Sequence, residues 1–600
     1  MSLSAASSAT SAAAQATTTV VAVLGGGISG LAAAYYTARR LAPLHHQSEK
    51  SEHPLRRNNT RLALFERADR LGGWIHTTRD PATGALLEHG PRSIRPKAAV
   101  GEATLDLICA LGIDDQVVRV PASSPAASKR YLYDQDALVA LPASLGALIG
   151  SRMGRTLLAR GAAEPFRPRR PTLGASITTT TTTAGNTTTT NTAATAATAA
   201  GAVHHGELAP DQDESVHQFF ARRFGGEIAD SLATALCRGI YAGDARELSV
   251  NACFPFLGQA ERDYGSVVMG MLRAKSPKRT AEHPAFVSSF RGVSMISFRE
   301  GLKTLPCALE SHLESAAGVR LARSTAVSSL KLVPDGIELQ TIGKDGSTAT
   351  HAEHVISSLQ PGALIKVLEQ STSASDSGNA ALQRAIAKLR EMSSVNVVTA
   401  TMVFAAKDFR LPVTGFGYLV PIRQPSSVIG VIFDSCVFDM HQGSELVKIT
   451  VSWSGLTEVW PVTGKLLLNS SHSLVFFWRF AHQAMMGGSS YSAELDQAVR
   501  NGADAVCDLA LRDIFVQLGV APVKPLSQHV RFLENCIPQP TVGHVSRVNN
   551  IRSELKTAFG HRLHLAGAAF GGVSVNDCMA SAHTVSEHVL AALSSIPRPQ

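Results

Sequence analysis

The first continuous hydrophobic segment of the chain, Val20–Leu24, leads directly into a glycine-rich loop, Gly25-x-Gly27-x-x-Gly30. This pattern predicts a strand, and the alanine-rich segment after the loop, Leu31–Leu41, predicts a helix. A strand, a loop of this spacing and a helix in that order are typical of dinucleotide-binding units. The glycines allow a tight turn and a close approach of the backbone to a pyrophosphate. The pattern therefore predicts a phosphate site at the amino terminus of the helix.

A second predicted strand, Arg61–Phe65, ends at an acidic residue, Glu66. In dinucleotide-binding units an acid at this place accepts a hydrogen bond from a ribose hydroxyl. Glu66 lies further from the glycine loop than the usual spacing of about 20 residues, because the polar segment His45–Asn59 comes before the strand. We interpret that segment as a surface insertion, since the entropy of loop closure grows slowly with length. The alternative is that Glu66 is a solvated acid at a strand end.

The composition excludes several other classes of protein. The chain has 600 residues, and its 44% hydrophobic content is enough for several cores. Eight cysteines without a Cys-x-x-Cys pair predict reduced thiols in a non-secretory compartment. The pairs His45-His46 and His204-His205 have no supporting ligands, so no metal site is expected. The net charge of +8 comes without a basic stripe interleaved with aromatic residues, and nucleic acid is therefore not an expected partner.

A membrane surface is a partner that the charge pattern allows. The densest basic stretch, Arg152–Arg170, surrounds a short apolar segment, as in sequences that lie on anionic membranes. The equally supported alternative is a solvated arm. No apolar run approaches the ~18 residues of a membrane-spanning helix. The first 19 residues contain Ala, Ser and Thr without any acid, but they also lack the arginines of a transit peptide.

Motifs beyond the glycine loop carry a resemblance to known flavoenzymes. Arg70-Leu-Gly72-Gly73-Trp74 resembles the arginine–glycine–glycine motif of the amine oxidase and phytoene desaturase group, in which two glycines let the backbone pass a bulky cofactor. The segment Leu563–Cys578 again predicts strand, glycine-rich turn and helix, and it is similar to the closing flavin motif of the protoporphyrinogen oxidase family. Three segments between the two ends are also similar to that family: Leu236–Ser249, Leu411–Pro421 and Glu534–Gln539.

The resemblance covers the chain from about Val20 to about Leu593, and it implies an activity. That activity is the oxidation of protoporphyrinogen IX to protoporphyrin IX by FAD in haem biosynthesis, with dioxygen as acceptor and hydrogen peroxide as product. No side chain is assigned a catalytic role, because the flavin carries the redox step. The implied partners are the tetrapyrrole substrate, dioxygen, the surface of the mitochondrial inner membrane to which a monotopic protein binds, and a second copy of the chain in a homodimer.

The resemblance also implies site residues, each carried over by its motif. The implied FAD contacts are Gly25, Gly26, Gly27, Ile28, Ser29, Gly30, Glu66, Arg67, Trp74, Gly90, Pro91, Arg92, Ser93, Val327, Ala568, Val573, Ser574 and Val575. The implied substrate contacts are Arg130, Gly417, Leu419, Ile432 and Met485. Arg130 can bind a propionate through a bidentate fork, whereas an exposed arginine before a strand is the alternative.

The expected architecture is of the α/β class. It comprises a discontinuous Rossmann-like FAD-binding domain, a mixed-sheet substrate-binding domain and an inserted helical, membrane-facing domain. The expected boundaries are a disordered tail at 1–19; FAD domain at 20–101, 290–361 and 543–593; helical domain at 102–271 with a disordered Thr-rich insert at 172–206; and substrate domain at 272–289 and 362–542. Ser215–Phe224 shows helical spacing of its apolar residues within the helical domain.

One segment departs from the family pattern. Residues 447–480 include Trp453 and Trp460 and lie where family members pass quickly to the strand that contains Met485. We interpret the segment as an insertion or as an error of the gene model. Two other functions stay open at this point: an amine or carotenoid oxidoreductase of the same fold, and a non-enzymatic relative similar to the prenyl-GTPase dissociation inhibitors.

Overall fold

Two large sheets form the framework of the protein. The computed structural model describes residues 17–41, 61–141, 152–167, 213–273, 280–421, 424, 426, 428–454 and 493–595. The strands are β1 (Thr17–Leu24), β2 (Leu62–Phe65), β3 (Thr77–Arg79), β4 (Leu86–Glu88), β5 (Val117–Pro121), β6 (Tyr131–Asp134), β7 (Ala137–Ala140), β8 (Val293–Phe298), β9 (Val319–Ala322), β10 (Ala326–Val333), β11 (Gly336–Gly343), β12 (Gly346–Ser357), β13 (Ser394–Ala405), β14 (Gly417–Leu419), β15 (Val428–Ile432), β16 (Leu446–Ser454), β17 (Ser527–Pro538) and β18 (Leu563–Leu565).

Helices cover both sheets, and the helices between Arg152 and Arg273 form a separate helical cluster in the middle of the chain. The helices are α1 (Ile28–Leu41), α2 (Ala98–Ala110), α3 (Pro125–Ser128), α4 (Arg152–Ala163), α5 (Val216–Phe224), α6 (Gly226–Ile228), α7 (Thr234–Tyr241), α8 (Val250–Cys253), α9 (Pro255–Tyr264), α10 (Val267–Arg273), α11 (Pro284–Ser288), α12 (Thr304–Ser315), α13 (Pro361–Glu369), α14 (Asp376–Arg390), α15 (Asp434–Val437), α16 (Ala493–Asn501), α17 (Ala503–Leu518), α18 (His544–Phe559), α19 (Ala568–Gly571) and α20 (Val575–Ser595). Short 3₁₀ segments occur at Asp114–Gln116, Glu164–Phe166 and Asp439–His441, and a π segment occurs at Ala229–Ala233.

The first sheet has the strand order β10-β11-β12-β1-β2-β9, and β18 pairs with β12. Strands β9, β2, β1, β12 and β18 pair in parallel, so helices must cover both faces. Side chains alternate along β1: Val21 and Val23 pack into a core with α1, α12 and α20, whereas Ala22 and Leu24 pack into a core with α13, α14 and α18. The predicted Rossmann-like unit is confirmed, and its helix begins at Ile28.

The second sheet has the order β17-β13-β16-β15-β14-β6-β7 and mixes antiparallel pairs with one parallel pair, β14–β6. Its buried face combines Met402 and Phe404 of β13 with Trp453 of β16 and with residues of α16 and α17. A mixed sheet in this part of the chain agrees with the predicted substrate domain.

The predicted helical domain starts too early. Strands β6 and β7 belong to the second sheet, and β5 pairs with β8. Tyr131 and Tyr133 decide this placement, because both rings are buried in the core of the second sheet. A strand of four residues gives too short a pattern to be recognised between helical segments.

The region 362–390 also differs from the expected division. Helices α13 and α14 place Leu364, Leu368, Leu382 and Ile386 in the core of the first sheet, although the sequence assigns them to the substrate domain. Contact with α18 accounts for this position, because α14 packs along α18. The structure thus assigns these two helices to the first sheet.

Residues 447–454, the start of the segment that departs from the family pattern, form strand β16. This strand pairs with β13 on one side and with β15 on the other, so it is internal to the sheet. Its residues Ile449, Val451 and Trp453 are fully buried. An insertion would therefore begin after Ser454. The remainder of the segment, Met485 and the Thr-rich insert lie outside the described residues.

The helical cluster contains a buried ion pair. The predicted helix at Ser215–Phe224 is confirmed as α5, and Ser215 caps it through a capping box with Gln218. Arg223 of this helix pairs with Glu164, and both side chains are fully buried. Glu164 also accepts a hydrogen bond from Val267 N at 3.0 Å, which ties α10 to α5. None of the helices that the structure describes is long and apolar enough to cross a bilayer.

We predict that Trp453→Ala destabilises the protein by about 3–5 kcal/mol, because it opens a cavity in the second core. The free energy of unfolding, measured in urea, tests this. Val516→Ala in α17, where the side chain is 70% exposed, is the control and should change stability by less than about 0.5 kcal/mol. Equal effects of the two substitutions would contradict an internal position of β16.

Candidate active site

The glycine loop is closed by contacts that leave no room for side chains. A Cβ atom at Gly30 would overlap the carbonyl oxygen of Gly25, which itself has φ +94°. Ser358, which follows β12, donates from Oγ to the carbonyl oxygens of Leu24 at 2.8 Å and Gly25 at 3.1 Å. These contacts hold the turn between β1 and α1, and they place Ile28 and Ser29 at the buried start of the helix.

Glu66 lies beside the loop, as the sequence predicts. One carboxylate oxygen accepts a hydrogen bond from Gly26 N at 2.7 Å, and the other accepts one from Ala68 N at 2.8 Å. The backbone of Glu66 also binds Thr325 N, which brings Val327 of β10 into this region, while Arg67 is exposed. The acid is therefore oriented by the backbone at the end of β2, where a ribose would lie next to the loop.

The second glycine pair packs against the first loop. Gly72 N donates to Gly26 O at 2.8 Å, and a Cβ atom at Gly73 would come within 2.9 Å of Gly27 Cα. From the sequence, the two glycines are expected to allow the backbone to pass a cofactor. In the structure, the close contact with the glycine loop already leaves no space for a side chain at Gly73. The next residue, Trp74, is 41% exposed. Its Nε1 donates to the side-chain oxygen of Gln360 at 2.8 Å.

The loop Gly90–Ser93 follows the β3–β4 hairpin, which forms a two-stranded sheet of its own. A Cβ atom at Gly90 would overlap the carbonyl oxygen of Trp74, and Pro91 and Ser93 are half-buried. Arg92 approaches Asp434, with 3.5 Å between Nε and Oδ1, and its Nη2 donates to Glu88 O at 3.4 Å. Arg92 thereby connects the hairpin to the first residue of α15.

A buried lysine stands beside this contact. Lys448 of β16 is 3% exposed, and its Nζ donates to Leu86 O at 2.6 Å. Burial lowers the pKa of Lys448, and nearby Asp434 opposes that effect. Burial raises the pKa of Glu88, although Leu302 N donates to its carboxylate at 2.6 Å. The β3–β4 hairpin and the second sheet thus meet at a buried cluster of opposite charges.

The closing motif forms a second turn against the first. A Cβ atom at Gly567 would lie 3.7 Å from Ser29 Oγ, so the start of α19, at Ala568, adjoins the start of α1. Asp577 N donates to Ser574 Oγ at 3.1 Å, which caps α20 where it begins at Val575, and Ser574 Oγ donates to Asp577 Oδ2 at 2.6 Å. Val573 is half-buried in the same turn. The predicted strand, turn and helix are confirmed, and two helix amino termini point towards one region.

Three predicted substrate residues share one face of the second sheet. Gly417 pairs with Ile432 in register, and Leu419 lies two residues further along β14, on the same face as Gly417. The ring of Tyr418 points to the opposite face and is buried in the second core. Leu419 is covered by α7, because a Cβ atom at Gly239 would lie 2.6 Å from it. The fifth predicted residue, Met485, lies outside the described residues.

Arg130 stands at the edge of this face, directly before β6. Its guanidinium lies over the ring of Phe416, 5.5 Å from the centroid. Burial lowers the pKa of Arg130, and the charge of Arg95 lowers it further, although an arginine keeps its proton in proteins. Arg95 is not among the site residues predicted from the sequence. A bound anion would relieve the repulsion between these two cations.

Arg238 is a second residue that the sequence analysis does not assign to the site. It is 3% exposed, its Nη1 donates to Val420 O at 2.7 Å, and burial lowers its pKa to about 10. It lies in the segment Leu236–Ser249, and the similarity of that segment to a family motif could have pointed to Arg238 from the sequence. In the structure it fixes α7 to the residue after β14.

Comparison with known proteins agrees with this geometry. The sequence model of one protein family, the flavin containing amine oxidoreductases, matches residues 28–590. A protoporphyrinogen oxidase of Homo sapiens is 34% identical over 539 residues, which are 88% of this chain and 93% of the relative. The protoporphyrinogen oxidase of Schizosaccharomyces pombe is 28% identical and covers 89% and 94% of the two chains.

The chain belongs to the protoporphyrinogen oxidase branch of the flavin containing amine oxidoreductases. It is therefore an FAD-dependent oxidoreductase. A crystal structure of a protein from Exiguobacterium sp. 255-15 has the same fold, with a TM-score of 0.62 at 20% identity over 96% of this chain and 99% of that chain. Putrescine oxidase shares the fold at a TM-score of 0.54 and 13% identity, over 96% and 99% of the two chains.

The residues present fit FAD. The large ring of Trp74 is exposed next to the glycine loop, where Gly73 approaches Gly27. An uncovered aromatic ring beside a glycine loop at the start of a helix is what a flavin dinucleotide would cover. Gly25–Gly30 would hold its pyrophosphate, and Glu66 its ribose.

We predict that Gly30→Ala lowers the affinity for FAD by about tenfold or more, because its methyl group would displace the Gly25 carbonyl. Flavin absorbance of the purified protein measures the loss. Gly161→Ala in α4, where a Cβ atom meets nothing within 4 Å, is the matched control and should retain full flavin content. Normal flavin binding in Gly30→Ala would rule out the loop as the phosphate site.

Proposed function

We propose that the protein oxidises protoporphyrinogen IX to protoporphyrin IX with dioxygen as the final electron acceptor. Each two-electron oxidation of the macrocycle would reduce one dioxygen to hydrogen peroxide. The observation that carries the proposal is the combination of an aliphatic sheet face with the cation Arg130 at its edge, in a chain that is 34% identical to a human protoporphyrinogen oxidase. FAD supplies the redox chemistry by accepting hydride equivalents.

The protein residues bind and orient the substrate in this proposal. Leu419 and Ile432 offer apolar contact to the macrocycle, and Gly417, where a Cβ atom would overlap Val431 O, keeps β14 and β15 close together on this face. Arg130 binds one propionate as a bidentate partner, and Arg95 supplies the neighbouring positive charge. The buried cluster of Arg92, Asp434 and Lys448 fixes the loop Gly90–Ser93 against the sheet that carries these contacts.

The two other functions predict different behaviour. A dissociation-inhibitor-like protein would not need bound flavin. The glycine loop Gly25–Gly30, with Glu66 bonded to it, supports a flavin enzyme. An amine oxidase would be expected to bind a cation, but the neighbouring charges of Arg130 and Arg95 favour an anionic substrate. We therefore favour the carboxylated macrocycle.

We predict that Arg130→Ala raises the KM for protoporphyrinogen about 10- to 100-fold, since one charge-assisted pair is worth roughly 1.5–3 kcal/mol. Porphyrin fluorescence in an aerobic assay measures the rate, and flavin absorbance should be unchanged. Arg320→Ala, an exposed arginine on β9, is the control. A flavin-loaded wild type without any fluorescence gain would overturn the proposed activity, whereas flavin loss in Arg130→Ala would contradict the role of that residue alone.

We further propose that the helical cluster lies on the mitochondrial inner membrane. Five of its large apolar side chains are exposed to solvent: Phe166, Ile240, Phe256, Met271 and Leu272. The basic residues of α4 belong to the same cluster, so apolar and cationic groups occur together, as in proteins that bind membrane interfaces. The proposed attachment is peripheral, with the apolar side chains in the headgroup region.

We predict that the double substitution Met271→Ser and Leu272→Ser lowers binding to cardiolipin-containing vesicles by about tenfold, because two side chains that are 69% and 75% exposed lose apolar contact. Vesicle co-sedimentation measures the bound fraction. Val516→Ser, which replaces an exposed residue outside the cluster, should bind as the wild type does. Equal binding to vesicles with and without cardiolipin would argue against the electrostatic part of the proposal.

A further inference from the structure

A cavity of about 800 Å³ lies between α18 and α20, on the side of the first sheet where β18 is found. Helix α18 contributes Asn549, Arg552 and Lys556 to its walls, and α20 contributes Thr584 and His588. The two helices belong to opposite faces of the sheet, since α18 packs into the core that contains Leu24 and α20 into the core that contains Val23. The cavity is therefore a slot between two helices at the margin of the sheet, and Tyr241, Asn251 and Pro255 of the helices α7, α8 and α9 also line it.

The floor of the slot is the edge of β18. Three consecutive residues, Leu563, His564 and Leu565, all line it. Neighbouring side chains of a strand point to opposite faces, so a cavity that meets three in succession approaches the strand from its edge. Among the strands of the described ranges, β18 pairs with β12 alone.

The hydrogen bonds of β18 show which backbone groups face the slot. Arg562 O accepts from Val355 N at 2.8 Å, and Ala566 N donates to Ser357 O at 2.9 Å. Even-numbered residues of this segment therefore face β12. In a strand the backbone groups of alternate residues point to opposite edges, so the N–H and C=O groups of Leu563 and Leu565 point into the slot. Such a row of backbone groups is a template for a further strand.

The charges on the walls select the kind of segment. Arg552 and Lys556 are permanent cations of the lining, and Asp577 is the one carboxylate among the described lining residues. Asp577 already accepts hydrogen bonds from Ser574. Burial lowers the pKa of His544 and of His564 to about 4, so these two imidazoles add no charge at neutral pH. Acidic side chains complement this lining.

The length of the slot fits a short extended chain. The lining residues on α20 run from Asp577 to Ala592, which corresponds to about 22 Å along the helix axis. An extended peptide of six or seven residues spans that length at about 3.3 Å per residue.

We propose that this slot is a peptide-binding site, in which an extended acidic segment of a partner protein adds to the first sheet as a strand beside β18. Main-chain hydrogen bonds to Leu563 and Leu565 would give affinity, and Arg552 and Lys556 would select acidic side chains. The slot also touches Gly571–Val573 of the closing motif, so the partner would lie next to the turn that begins α20.

The test uses the full-length, flavin-loaded protein and a fluorescein-labelled hexapeptide of alternating valine and glutamate, with fluorescence anisotropy as the readout. The acidic peptide should bind, and its counterpart with lysine in place of glutamate should bind at least about tenfold more weakly. Two further peptides keep the charge but are N-methylated, one on the valines and one on the glutamates. Each of them lacks the N–H donors along one edge of the extended peptide. At least one of them should also lose about tenfold in affinity.

The double variant Arg552→Glu and Lys556→Glu should raise the Kd of the acidic peptide about tenfold or more, and flavin absorbance reports whether it is folded. Arg320→Glu, at the opposite end of the sheet on β9, makes the same kind of charge change and should leave binding unaltered. Absence of binding, or equal binding of the acidic and basic peptides, would overturn the proposal. Unchanged affinity of both N-methylated peptides would also overturn the proposal and indicate a site for organic anions. This measurement uses the wild-type protein, so it does not depend on the folding of a variant.

Discussion

The buried contact between Arg92, Asp434 and Lys448 holds the β3–β4 hairpin, and the loop that follows it, against the second sheet. A buried charge is costly unless opposite charge and hydrogen bonds compensate it. Lys448 comes from the second sheet and finds its acceptor, Leu86 O, on β4, while Arg92 reaches Asp434 from the loop after β4. None of these groups can move away alone without leaving a charge uncompensated. The hairpin and the loop Gly90–Ser93 therefore have a defined position against the second sheet.

The remainder of the site follows from that junction. Loop Gly90–Ser93 is fixed between Trp74 on one side and Asp434 on the other, which orients it towards the glycine loop. Asp434 also accepts a hydrogen bond from Thr450 at 2.8 Å, and it follows Ile432 by two residues. The apolar face proposed for the macrocycle is thus covalently adjacent to the charged cluster, and a flavin held by the first sheet would face a substrate held by the second.

Local patterns predicted the parts of the site that are built from neighbouring residues. Gly25–Gly30 and the closing turn near Gly567 were predicted because each is a strand, turn and helix within a short segment. The position of Arg130 next to Arg95 was not, because it depends on β6 joining β14 across a large sequence separation. Lys448 could not be recognised either: an isolated lysine in an apolar strand shows neither its burial nor its partners. The strand that carries it was obscured by the long segment that follows.

The meeting of Ser29 with Gly567 has a consequence for the way the protein is made. The two walls of the dinucleotide site come from segments far apart in the sequence, and β18 must pair with β12 before the second wall exists. During synthesis the glycine loop emerges well before the closing motif. The site is therefore complete only after both segments have been made and β18 has joined the first sheet.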